Sequence, residues 1–377
     1  MASTRKGIAI IVGVALAASA GVLGWAAQTR HGVFAAAGDA DDTGHGRLAL
    51  DAPIPDQVPP GVKLIIGDPT TEQVLKHTGW DKDLSFQVQW AEISGGPAVT
   101  EAFHARALDV GSAANMPPIH AIWVGIPVKM IAVRFRQDPQ EHPVFVLAVA
   151  PHSGVRSLAD LRGKRIAFSP GQVQGEIVLR SLEAAHLTPR DVTLVELPSS
   201  GGDLYINALI GGLVDVAPIG AGAAARRYVA NYGSQGAALV RHSAVRDDLG
   251  DLYVRTETLQ DPGKAAALKQ YLKLWGRAQA WIAAHPSEWA QIYYVGNQGL
   301  SPDDARYTVD AAGRPDVPRS WDEAIRLQQA TIDLMAGQTH RRPFAAATLF
   351  DRRFETVPAD AIAAQPAAVA DARGAQR

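Results

Sequence analysis

The chain has 377 residues, 47% of them hydrophobic, with a formal net charge of -2 and no cysteine. That length leaves room for two compact domains and a sizeable core, and the near-balanced charge argues against nucleic acid as a partner. The missing cysteines exclude disulfides, thiolate metal sites, a thiol nucleophile and a cysteine-linked lipid anchor.

In chain order, Arg5 and Lys6 precede an apolar run over residues 7–27. A positive start followed by an apolar core is the pattern of an export signal. The run is also about the ~20 residues a membrane span needs, so a cleaved signal and a retained anchor both remain open. Residues 28–60, rich in Ala, Gly, Asp and Pro, read as an extended linker.

A first βαβ half begins at residue 61. VKLII (62–66) is a near-continuous apolar strand, and a loop through Pro69, Thr70 and Thr71 leads into a helix. FQVQW (86–90) alternates as a strand does and runs into Ser94, Gly95, Gly96 and Pro97, a helix start. LDVG (108–111) is the next strand, ending in Ser112 to Asn115. Residues 144–150 form an apolar strand that carries the chain between domains. The second half reads, from residue 152, as turn, short helix, strand (RIAF, 165–168), the loop Ser169 to Gly175, a long helix and another strand. VDVA (214–217) follows, then the small segment Pro218-Ile219-Gly220. LYV (252–254) is a return strand into the first domain. Residues 262–337 are helical, with Leu268, Leu272, Trp275 and Gln279 on one face and Trp281 and Trp289 adding bulk. From residue 357 the Ala-rich end reads as a frayed tail.

The resulting organisation is an export signal or anchor over 1–27, a linker over 28–60, and a first lobe over 61–151. A second lobe covers 152–240, the first lobe resumes over 241–356, and a disordered tail covers 357–377. Catalytic signatures are missing: no G-x-S-x-G elbow and no G-x-x-x-x-G-K-[ST] loop occurs. The histidines, such as His77, His104, His120 and His186, lack the paired spacing of a zinc site, so neither metal nor cofactor is expected. The acid pairs Asp41-Asp42 and Asp247-Asp248 read as solvated loop charges.

What remains are loops of small polar residues, each between a strand end and a helix start. Helix N-termini present unpaired N–H groups and partial positive charge, so converging ends hold an anion without arginine. The same residues populate any βα turn, so spacing alone leaves both readings open. The candidate ligand contacts are Thr70, Thr71, Ser94, Gly95, Gly96, Ser112 and Asn115 from one side. Ser169, Gly171, Gln172, Gln174, Gly175 and Ile219 are those from the other.

Four stretches resemble a family. They are Gly95-Gly96-Pro97 through LDVG, Pro117-Pro118-Ile119-His120-Ala121, the segment SLADLRGKRIA (157–167), and ALIG (208–211) with LVDV (213–216). They are similar to extracytoplasmic solute-binding proteins of ABC transporters, of the sulfonate, nitrate and taurine type, over roughly residues 62–290. The resemblance implies a two-lobed α/β type II periplasmic-binding-protein fold, with ligand in the cleft between lobes. It also implies a monomer that captures a small anionic solute outside the cytoplasm and delivers it to a membrane permease. The small residues after the Val-Asp strand depart from the family, which often has an aromatic residue there. Two alternatives stand beside the receptor: a sensory ligand-binding module, and an enzyme on the same fold. Desulfinases and pyrimidine synthases of this architecture rely on cysteines this chain lacks.

Overall fold

A computed structural model of the chain describes residues 46–198 and 204–365. The apolar run over 7–27, the pair Asp41-Asp42 and residues 366–377 lie outside the described residues. No helix among the described residues is long and apolar enough to cross a membrane.

The architecture is two-lobed α/β, built on two sheets. The first has strand order β11-β4-β10-β3-β1-β2, from β1 (Lys63–Gly67), β2 (Gln87–Trp90), β3 (Val110–Ala114), β4 (Val128–Arg136), β10 (Gly250–Arg255) and β11 (Pro315–Asp316). The second has order β7-β6-β8-β5-β9, from β5 (Phe145–Val149), β6 (Arg165–Phe168), β7 (Thr193–Glu196), β8 (Val216–Gly220) and β9 (Ala238–Val240). In the first, β1 pairs in parallel with β2 and β3, whereas β10 enters antiparallel between β3 and β4. β4 therefore runs in the same direction as β3.

Local chemistry sets these elements. Helix α1 (Pro69–Thr78) starts where Asp68 accepts from the Thr71 N–H at 3.3 Å and Pro69 supplies a preset φ, and it stops at Gly79 with φ 75°. Helix α2 (Gly96–His104) buries Val99, Ala102 and Phe103 on one face, the i, i+3, i+4 stripe of a core-facing helix. Helix α3 (Met116–Trp123) follows β3, and α4 (Val173–Ala184) follows β6. Two aspartates of the family-like motifs do the same work in each half. Asp109 accepts from the Ile65 N–H (2.8 Å) and Asp215 from the Arg165 N–H (2.8 Å), each tying a strand start to its neighbour. Asp160 accepts from the Ser157 N–H at 2.9 Å, closing a capping box on the turn Leu158–Leu161.

The two crossings between the sheets are pinned together. Asp247 accepts from the Val144 and Phe145 N–H groups at 2.9 and 2.7 Å and lies 3.0 Å from His242 Nε2. Asp248 accepts from the Arg136 N–H at 2.6 Å and from both arms of Arg246 at 2.7 and 2.8 Å. Their carboxylates are 2% and 0% exposed, so these are not the solvated charges the sequence suggested. Each satisfies backbone donors of a crossing that lacks a ladder partner, the accounting any buried N–H requires. Ser243, His242 and Asp247 also stand in hydrogen-bonding order, the arrangement of a nucleophile triad. Ser243 is 7% exposed and its hydroxyl already accepts from the Val245 N–H, so it serves the hinge.

Three boundaries differ from the sequence reading. β5, assigned to the end of the first lobe, pairs with β8 and β9 in the second sheet, so the chain crosses between residues 136 and 145. The last part of the linker is tied down: the Leu48 N–H donates to Gln260 O at 2.8 Å, and Arg353 donates to the Ala49 and Ala52 carbonyls. Val357–Ala363, read as tail, is a helix. It lies across the long helix Pro262–Ala284, in which a Cβ at Gly276 would stand 2.5 Å from the Pro358 carbonyl oxygen. Glycine permits that approach, and burial of Pro358 holds the helix in place.

Candidate functional site

The loops singled out from sequence do meet. On the first-lobe side, the Gly95 N–H donates to Ser112 O at 3.2 Å, bringing the starts of α2 and α3 together. A Cβ at Gly96 would overlap the Gln172 side chain of the second lobe, and one at Gly171 would stand 3.1 Å from His120 Nδ1. Asn115 Nδ2 donates to Glu176 Oε2 at 2.7 Å, and Thr331 Oγ1 to Glu176 Oε1 at 2.6 Å. Gln328 Nε2 donates to Asn115 O at 2.7 Å. Asn115, Glu176, Thr331 and Gln328 are all buried, at 8%, 7%, 2% and 0% exposure. Thr331 and Gln328 sit on the helix Asp322–Thr339 of the first lobe, and Glu176 is in the first turn of α4. A four-residue polar lock therefore joins the lobes.

The remaining expected contacts are dispersed. Ser94 is exposed, Gln174 is half-buried, and Gly175 packs against the Ser169 carbonyl, where a Cβ would not fit. Ile219 is 7% exposed, paired opposite Val146 in the second core. Thr71 is fully buried.

Of the four helix starts that were to hold an anion, that of α1 is capped by a protein carboxylate, whereas those of α2, α3 and α4 carry no side-chain cap. Asp68 receives the Thr71 N–H, the Thr70 hydroxyl at 2.8 Å and the Tyr271 hydroxyl at 2.9 Å. A carboxylate is the natural occupant of a helix N-terminus. Glu176 puts a second one at the start of α4. After β8, the Ala223 N–H opening the helix Ala223–Tyr232 donates to Thr308 Oγ1 at 3.2 Å. Asn115, expected to donate to a ligand, spends its amide on Glu176.

A cavity of about 760 Å³ is walled by residues of the first lobe and of the crossing after β4, with none from the stretch 145–240, and Thr70 alone of the expected contacts lines it. Its walls come from the end of β4, the helix Pro262–Ala284 and the segment Ala290–Asn297, which is π-helical. Its distinctive group is Arg134. The guanidinium donates from Nη1 to Gln279 Oε1 at 3.3 Å and forms an ion pair with no carboxylate among the described residues. The acid that feels its charge is Asp251, fully buried with neither oxygen hydrogen-bonded. Burial raises the Asp251 pKa well above the ordinary carboxylate value, more than Arg134 lowers it. Arg136 also lines the cavity but is tied to the His142 and Pro143 carbonyls at 3.0 and 2.9 Å. Burial pushes the Tyr293 hydroxyl up to about 12 and raises that of Tyr294, so both face the cavity as neutral donors.

Sequence reasoning missed Arg134 and Arg136. Their signal is present: VKMIAVRFR carries two arginines at alternate positions at the carboxyl end of an otherwise apolar strand, where open α/β sheets bind ligands. Among the described residues, no group of three or more His, Cys, Asp or Glu is placed to hold a metal ion.

Comparison with known proteins bears on this geometry. The family model described as NMT1/THI5 like matches residues 74–289. A protein of Escherichia coli (strain K12), named as an aliphatic sulfonates-binding protein, is 31% identical over 28% of this chain and 32% of its own length. One of the same name from Bacillus subtilis (strain 168) is 26% identical over 58% of this chain and 64% of its own. The chain thus spans less than two thirds of either relative. Among solved structures, the alkanesulfonate-binding protein SsuA from Xanthomonas axonopodis pv. citri, bound to MOPS, has a TM-score of 0.61 at 22% identity, covering 80% of this chain and 98% of that one. The periplasmic aliphatic sulphonate binding protein SsuA from Escherichia coli has 0.63 at 20%, covering 78% and 92%. The desulfurization enzyme DSZB shares the fold at 0.54 and 16%, covering 80% and 99%.

Proposed function

We propose that this chain, which belongs to the NMT1/THI5-like family, is the solute-binding protein of an ABC importer. It captures a small anionic solute of the sulfonate class outside the cytoplasm and hands it unchanged to a membrane permease. The observation that carries this reading is Arg134, a cation without a carboxylate partner at the ligand-binding end of a strand, on a cavity that Thr70 also lines. The two-lobed fold, and relatives named for binding sulfonates, support it. In this reading the chain works as a monomer. Its residues 1–27 direct export, and the lock at Asn115 and Glu176 holds the lobes closed while Arg134 neutralises the anion. No chemistry on the solute is required. Delivery depends on lobe opening, and a chain without cysteine has no thiol nucleophile to cleave a carbon–sulfur bond.

Calorimetric titration with methanesulfonate, taurine, nitrate and sulfate tests the reading, with recovery of the compound after incubation. Binding of at least one anion, recovered intact, is expected. A hydrogen bond to a charged group contributes about 1.5–3 kcal/mol, so Arg134→Gln weakens that binding about 10- to 100-fold. Absence of binding across a broad panel of anions overturns the receptor, and turnover of the bound compound makes the chain an enzyme.

A further inference from the structure

The cavity beside Arg134 is much larger than a small oxyanion requires. Its 760 Å³ lies within the roughly 300–1,000 Å³ of pockets that enclose drug-sized ligands. At about 30 Å³ per water, a nitrate or methanesulfonate would leave most of it wet.

Its lining is of two kinds. One is polar and donor-rich. Gln279 is 1% exposed, its Oε1 is taken by Arg134, and its Nε2 has no hydrogen-bond partner among the described residues. The other kind is apolar: Ile282, Leu300 and Val309, with the ring of Tyr293 stacked on Trp289 at 4.4 Å and 7°. Tyr293 and Tyr294 are carried on the π-helix Ala290–Asn297, a rare form that is frequent at functional sites. Acids line the cavity too, Asp138 and Asp310, against Arg134, Arg136 and Arg314, so the balance of formal charge is cationic.

We infer that the solute is an organic anion with a bulky planar body, such as an aryl sulfonate or aryl carboxylate. Its head group pairs with Arg134, and its ring lies against Ile282, Leu300 and Tyr293. This rests on the receptor reading and specifies its substrate class. The aromatic wall contributes contact area that a one-carbon sulfonate does not use, and the charge of Arg134, which has no carboxylate partner among the described residues, favours an anionic ring over an uncharged one.

The test is calorimetry on the full chain with naphthalene-2-sulfonate, methanesulfonate and uncharged naphthalene-2-methanol. Naphthalene-2-sulfonate is expected to bind at least tenfold tighter than either of the others. Ala283→Phe, which fills the apolar wall from the long helix, is expected to abolish that preference. Leu300→Ala, which removes wall instead of adding it, is expected to reduce the preference severalfold and serves if the first variant misfolds. Methanesulfonate binding as tightly as the aryl compound, with both variants indifferent, overturns the inference and leaves the receptor standing. Equal affinity for the uncharged alcohol overturns it as well, by showing an apolar pocket without a role for Arg134. Failure of both sulfonates on the unaltered chain removes the support for the sulfonate-receptor reading and the inference with it.

Discussion

Replacing Glu176 with Ala probes whether the lobes are joined in solution as they are in the structure. The carboxylate accepts from Asn115 at 2.7 Å and from Thr331 at 2.6 Å, in surroundings where all three residues are less than 10% exposed. A hydrogen bond to a charged group contributes about 1.5–3 kcal/mol, so removing two costs about 3–6 kcal/mol. Arg180, whose Nε lies 3.6 Å from Glu176, keeps Glu183 at 3.2 Å, so its charge is not stranded and adds little. The specific quantity is the coupling between Asn115 and Glu176, measured by urea unfolding of Asn115→Ala, Glu176→Ala and the double variant. The expected coupling is about 1.5–3 kcal/mol. Were the lobes apart in solution, both groups would be bonded to water and the single effects would add. A coupling within the ~0.5 kcal/mol scatter of independent sites would therefore refute the lock.

Asp248→Ala removes the bond to the Arg136 N–H and two from Arg246, and leaves Arg246 with Glu323 as its one acidic partner among the described residues. The expected cost is about 3–5 kcal/mol of unfolding free energy measured with urea, and a loss under about 1 kcal/mol would show that the crossings hold without it. Gly276→Val drives a side chain against the Pro358 carbonyl, with an expected cost of about 1–3 kcal/mol and faster proteolytic loss of the last residues. The pH dependence carries a sign. Burial raises Asp251 above its ordinary 3.8, so the folded chain holds this proton more tightly than the unfolded one. That contribution is complete below about pH 3.8 and is lost as pH rises through the folded value. Asp251→Asn should therefore be the more stable form at pH 8, with the gap closing by pH 4. A constant gap across that range would mean that Asp251 is already ionised when folded.

The fold was legible where the code is local. The Asp68-Pro69 start of α1, the Val99, Ala102 and Phe103 stripe, and the alternation of residues 87–90 each carry their own period or cap. Partners far along the chain were not. Asp247 and Asp248 look like loop charges until Val144 and Arg136, more than 100 positions away, arrive as their donors. The site followed the same rule. Two of the small polar turns lie where the lobes meet, because Gly96 and Gly171 admit the opposite lobe. Composition does not distinguish a turn awaiting an anion from one already capped by Asp68 or facing Glu176. Gln279 and Trp289 were visible as packing residues, and their burial is real. That Gln279 also lines a cavity with Arg134 depends on a strand over 140 positions earlier.

The order of strands in the first sheet constrains the order in which the molecule can be made. β3 and β4 are never neighbours; β10, synthesised more than 110 residues after β4, separates them and bonds to both. The second sheet, by contrast, is one continuous stretch from Phe145 to Val240. A chain emerging from its amino end therefore completes the second lobe first, while β1 to β4 wait with unpaired edges. The first lobe closes only when Gly250–Arg255 arrives, and its outer helix only with Val357–Ala363. During that interval the apolar faces of β3 and β4 are exposed, the condition under which nascent chains aggregate. An expression host that slows translation past residue 240, or a truncation anywhere between 240 and 357, should leave a folded second lobe trailing an adhesive, half-built first one.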